Sequence, residues 1–226
     1  MCEAGKTRTM CGCARLGCLS GMFLATFLLI SAAASSVELA ASRDTLFCER
    51  VVELFQKNME ERRRFNLHKE PFSPITWEPV SLAGLGPKTR YCSSLDKAIV
   101  DLDNDGHLDL VVKTTFCMKG APSDSLYVFP ADSAVLDQAT WQDLSPLLAT
   151  PDKFERTGGT YPLSSLRIEN VAVSPALTTL FAIQPFILDD VTYVSLTDAR
   201  HEWIVVAKYL RGGRFEDQCY LRVPSS

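Results

Sequence analysis

The sequence predicts a mainly β chain, an antiparallel meander or a set of propeller-blade-like sheets, with one N-terminal amphipathic helix. Three observations carry this expectation. The C-terminal third divides into short β-branched or aromatic runs separated by turn signals. An aspartate-rich loop at 101–109 is flanked on both sides by strand-like runs. Only residues 44–66 repeat apolar side chains at helical spacing.

Residues 1–34 read as a secretory signal. Lys6, Arg8 and Arg15 face a single Glu3, and Leu19 to Ala34 is almost wholly apolar. Ala32-Ala33-Ala34 supplies the small residues of a cleavage site, so the mature chain is expected to start at Ser35, and Met10 is an alternative start. The competing reading is an uncleaved membrane anchor over residues 19–34; the run is short for a span of about 20 residues and contains Ser20 and Gly21. Removing Lys6, Arg8, Arg15 and Glu3 with the signal takes the formal charge from −4 to −6. An acidic chain of this kind argues against nucleic acid or an anionic membrane surface as partner.

Residues 35–88 are expected to hold the helix and a connector. Asp44 is placed to cap the helix, and Leu46, Phe47, Val51, Leu54, Phe55 and Met59 form its apolar stripe. Glu60-Glu61-Arg62-Arg63-Arg64 brings cations to the negative end of the helix dipole. Pro71, Pro74, Pro79 and Pro87 then preclude a helix, leaving an extended segment with an edge strand at Ile75-Thr76-Trp77.

The β region, residues 89–226, is organised around Asp101-Leu102-Asp103-Asn104-Asp105-Gly106-His107-Leu108-Asp109. Carboxylates fall at positions one, three, five and nine of this loop, with glycine at six. Calcium takes six to eight oxygens at roughly 2.3–2.6 Å, which a short loop supplies by aiming alternate side chains inward. Asp101, Asp103 and Asp105 are the expected side-chain ligands; the His107 carbonyl adds a seventh-position ligand, and Asp109 closes the site directly or through water. An EF-hand would need a glutamate at position twelve, which here is Val112, and a dockerin repeat would continue as a helix. Ala98-Ile99-Val100 before the loop and Leu110 to Phe116 after it read instead as strands. A strand, an Asp-x-Asp-x-Asp-Gly-x-x-Asp-Leu loop and a second strand resemble the FG-GAP/VCBS type of calcium-loop repeat over about residues 97–115. The resemblance implies a Ca2+ site in a β-propeller-like setting, and with only one such loop in the chain a whole propeller is not expected.

Further along, Ser125 to Phe129 reads as a strand and residues 133–150 as a short helix or turn packed on the sheet. Strands are then expected at 167–173, 179–186, 192–196, 203–209 and 215–223, with turns at Asp189-Asp190, Asp198-Ala199-Arg200 and Gly212-Gly213.

Cys2, Cys11, Cys13 and Cys18 belong to the signal, whereas Cys48, Cys92, Cys117 and Cys219 remain in the mature chain. An even number in an oxidising compartment suits two disulfides, and three pairings are open. Cys92 and Cys117 lie symmetrically about the metal loop, which favours Cys92–Cys117 and Cys48–Cys219. Zinc is disfavoured by the absence of Cys-x-x-Cys spacing.

No catalytic constellation is legible. The histidines are His68, His107 and His201, and His201-Glu202 lacks the second histidine of a zinc-protease helix, since that position is Val205. Neither a Gly-x-Ser-x-Gly elbow nor a phosphate-binding glycine loop is present. Trp77, Trp141 and Trp203 are candidates to stack on a sugar or peptide, or simply core. The expectation is a secreted or periplasmic protein with a structural calcium, acting as a binding or scaffolding module for a protein or glycan. The alternatives are a small hydrolase or inhibitor acting on cell-wall or extracellular polymers, and a membrane-anchored envelope component.

Overall fold

The computed structural model describes residues 36–62, 75–82, 93–118, 121–155, 181–198 and 203–223. Among these residues ten strands form two five-stranded antiparallel sheets. The first is built from β1 (Glu38–Ser42), β7 (Phe181–Leu188), β8 (Val191–Asp198), β9 (Trp203–Leu210) and β10 (Arg214–Arg222), in the order β1-β10-β9-β8-β7. The second runs in sequence order through β2 (Glu78–Pro79), β3 (Ser94–Val100), β4 (Asp109–Met118), β5 (Ala121–Pro130) and β6 (Lys153–Phe154). Helix α1 (Thr45–Arg62) follows β1, and two single-turn helices, α2 (Val135–Gln138) and α3 (Ser145–Leu148), lie between β5 and β6. Residues Ser35–Ser226 form one unit, so β1 and α1 fold with the strands beyond residue 89.

Strand alternation sends side chains to both faces, and here both faces are apolar. From the second sheet Val111, Leu126 and Val128 meet Val194, Val205, Ala207 and Tyr209 of the first, making a core shared by the sheets. The intervening residues point outward. Ile204, Val206 and Leu221 are covered by Cys48, Val51 and Phe55 of α1. Leu110, Val112, Tyr127 and Phe129 pack with Val135, Ala139 and Leu147 around the short helices. Runs such as Leu110-Val111-Val112 and Ile204-Val205-Val206-Ala207 are thus buried on both sides, which is why they read as continuous apolar stretches.

A β-bulge sets the disulfide. The register of β10 against β9 shifts between Asp217 and Cys219, so that Asp217 faces Ala207 and Cys219 faces Val206. Strict alternation from Phe215 would have turned Cys219 into the shared core; the extra residue turns it outward, towards α1. Cys48 and Cys219 form a disulfide there, with Cα atoms 5.6 Å apart. Closing a loop over 171 residues of sequence is worth about 5 kcal/mol in the chain-entropy account.

Three expectations need adjustment. The edge strand is Glu78–Pro79 rather than Ile75-Thr76-Trp77: Glu78 pairs with Lys97 and Pro79 with Asp96, and the Val80 amide donates to the Leu95 carbonyl at 2.8 Å. Ile75 and Trp77 instead spend their side chains against the shared core. Leu46, placed on the apolar stripe of α1, is 76% exposed, whereas Val51 and Phe55 of that stripe are buried together with Cys48. Strand β1 carries no alternation strong enough to announce it, and it forms because β10 offers it a paired edge. Asp44 does cap α1, accepting from the Phe47 amide at 3.1 Å. The expected strand at 167–173, the turn at Asp198-Ala199-Arg200 and the signal segment lie wholly or partly outside the described residues.

Candidate metal centre

The loop at 101–109 joins β3 to β4, which pair antiparallel from Ser94↔Thr115 to Val100↔Asp109. The strand, loop, strand arrangement expected from the sequence is therefore present. Asn104 and Gly106 take positive φ, 62° and 88°, and these two residues reverse the chain. A Cβ on Gly106 would meet nothing within 4 Å, so glycine is required there for its backbone and not for space.

The carboxylates organise the turn. Asp101 accepts the amides of Asp105 at 3.1 Å and Gly106 at 2.9 Å, one on each oxygen. Asp103 accepts the Asp105 amide at 3.3 Å. Asp109, 1% exposed, accepts the Leu102 amide at 3.1 Å. These bonds draw carboxylate oxygens of Asp101, Asp103 and Asp109 within 4.8 Å of one another. Carboxylate oxygens gathered this closely could share one hard cation, which takes its oxygens at roughly 2.3–2.6 Å.

Asp105 does not belong to this group. Its Oδ1 accepts the His107 amide at 2.8 Å and lies 3.2 Å from Nδ1 of the exposed His107 ring. The amide bond from His107 is the main cause holding the Asp105 carboxyl below its ordinary value. Asp109 behaves oppositely: burial pushes its carboxyl up, against the Leu102 amide and Arg211, which pull it down.

Sequence reasoning missed the cation that already meets these groups. Arg211 reaches across from the β9–β10 turn of the other sheet, its Nε 2.5 Å from Asp103 Oδ2 and its Nη2 3.1 Å from Asp109 Oδ1 and 3.5 Å from Asp105 Oδ2. Asp152, beside β6, holds that turn: it accepts from the Gly212 amide and from the Tyr209 hydroxyl, the latter at 3.4 Å. Gly213 has φ 66°, and a Cβ there would collide with the Lys153 carbonyl, so the turn presses directly on the β6 backbone. A second link was also unread. The Asn104 side chain donates to the Thr192 carbonyl at 3.1 Å and accepts the Thr192 amide at 2.6 Å, fastening the loop to β8. The Gly212-Gly213 turn was legible, but nothing in the sequence says which loop its arginine will meet.

The other candidates fall elsewhere. Cys48 and Cys219 are bonded; Cys92, His68 and His201 lie outside the described residues, and Cys117 lies on β4. Trp77 and Trp203 pack against the shared core, with Lys113 Nζ 4.7 Å from the centre of the Trp77 ring, and Trp141 packs beside the short helices. Among the described residues no helix is long and apolar enough to cross a membrane. Compared with family models, with curated proteins and with solved structures, the chain has no significant match.

Proposed function

We propose that this chain is a secreted or periplasmic calcium-binding module in which the metal is structural and the folded sheets act as a binding or scaffolding surface. The observation that carries the reading is the convergence of Asp101, Asp103 and Asp109 within 4.8 Å at a turn that also touches the other sheet. An ion there would neutralise the loop and order it. The likeness to an FG-GAP/VCBS repeat, and to a propeller blade, is supported by the antiparallel β3–β4 pair that flanks the loop. Export is supported by the signal-like residues 1–34 and by the Cys48–Cys219 disulfide, a bond of oxidising compartments.

A Cys92–Cys117 bridge belongs to the same proposal. The β3–β4 register, Ser94↔Thr115, is the one in which two further positions would set Cys92 opposite Cys117. Non-reducing peptide mapping reads this pair directly.

The test of the function is calorimetric titration of the oxidised protein with Ca2+. One ion per chain is expected, with binding lost in Asp101→Asn and Asp103→Asn. Binding that survives both substitutions, or no binding at all, would remove calcium from the account.

A further inference from the structure

The carboxylates of the loop already hold a cation supplied by the chain. We propose that Arg211 is an internal counter-ion that must leave Asp103 and Asp109 when a divalent cation enters, so that the ion and the β9–β10 turn compete for the same oxygens. This rests on the calcium reading of the loop and adds a regulatory element to it.

Three observations support the exchange. The guanidinium lies 2.5 Å from Asp103 Oδ2 and 3.1 Å from Asp109 Oδ1, and those two residues are also members of the three-carboxylate group. A calcium ion bonded to the same oxygens at about 2.4 Å would stand within contact distance of the guanidinium, where like charges repel strongly. Arg211 also has somewhere to go: Asp152 Oδ2 is 4.0 Å from its Nη1, and the Arg211 side chain is 45% exposed, so the guanidinium has room to turn towards another carboxylate. Asp152 holds the Gly212 amide throughout, which keeps the turn in place.

The consequence is a change of connection between the sheets. Without the ion, the loop is tied to the first sheet twice, through Arg211 to the β9–β10 turn and through Asn104 to Thr192. With it, Arg211 gives up Asp103 and Asp109 and turns towards Asp152, while the Asn104 tie persists. Arginine in place of a metal also explains how a loop with four carboxylates keeps its shape before any ion arrives.

The test compares Ca2+ affinity by calorimetry in the full-length oxidised wild type, Arg211→Gln and Arg211→Lys. Removing the competitor should tighten binding at least tenfold in Arg211→Gln, with Arg211→Lys intermediate because an ammonium keeps the charge and loses the planar fork. Equal affinity in wild type and Arg211→Gln would overturn the exchange and leave the calcium reading standing. Binding only in Arg211→Gln would support the exchange and refute calcium binding by the wild type, and binding in neither would refute both. A measurement on the unmutated protein guards against a variant that fails to fold. The Arg211 Nε–H resonance should move when Ca2+ is added, and an unmoved resonance at saturating Ca2+ contradicts the proposal.

Discussion

Two acidic turns stand side by side in this molecule and behave differently. Asp189-Asp190 joins β7 to β8, with both residues at positive φ, 52° and 59°. The loop at 101–109 is fastened to Thr192, two residues beyond that turn. At the first turn Asp189 meets Arg50 of α1 at 2.7 Å with both side chains more than half exposed. At the second, Asp109 is 1% exposed and Asp103 7%, and their oxygens converge with those of Asp101. The Asp189 carboxylate serves one solvated ion pair, whereas those of Asp101, Asp103 and Asp109 converge. A count of acidic residues therefore does not mark a cation site; burial and convergence do.

The largest break in this contrast is expected from Asp109→Ala. It strands the Leu102 amide and removes the buried end of the Arg211 pair, and should cost about 2–3 kcal/mol in urea unfolding, a sum reduced by the exposure of Arg211. Asn104→Ala comes next. It deletes both bonds to Thr192 and places a residue less tolerant of φ 62° at the bend, for about 1–2 kcal/mol by the same measurement. Asp189→Asn should leave the unfolding midpoint unchanged within error, because its ion pair with Arg50 is open to solvent.

Titration sharpens the comparison further, since Asp189 and Asp109 shift in opposite directions. The side-chain hydrogen bond from Arg50 lowers the Asp189 carboxyl, whereas burial raises that of Asp109. The stability linked to Asp189 is present above its unfolded pKa and is lost as pH falls through the folded value. That linked to Asp109 is present below its unfolded pKa and is lost as pH rises through the folded value. Carboxyl-carbon NMR on the calcium-free protein should find Asp189 titrating below the ordinary aspartate range and Asp109 above it. Shifts of the same sign would dissolve the distinction between the turns.

Local chemistry was the legible part of this chain. The positions of Asp101, Asp103 and Asp109, the cap at Asp44, the Gly212-Gly213 turn and the strands from β7 to β10 all follow from residue type and short-range spacing. On α1 the expected stripe is buried at Val51 and Phe55 but not at Leu46, because periodicity alone cannot say how far along its length a helix is covered by a sheet. Strand β1 was missed because its pairing partner β10 lies at the far end of the chain. Arg211, Asp152 and Asn104 share that cause: each acts on a group tens of residues away, and the distance is closed only when the two sheets pack. Cys48–Cys219 could be favoured by elimination, but the bulge that turns Cys219 towards α1 had no sequence signal.

The most direct test of the central claim is thermal unfolding of the oxidised protein in Ca2+ and in chelator, for wild type and for Asp101→Asn. A structural ion should raise the wild-type midpoint, by the equivalent of about 2.7 kcal/mol at a hundredfold excess over Kd, and should leave Asp101→Asn unmoved. A wild-type midpoint indifferent to calcium would contradict the account, and the loop would then be an acidic turn closed by Arg211 alone.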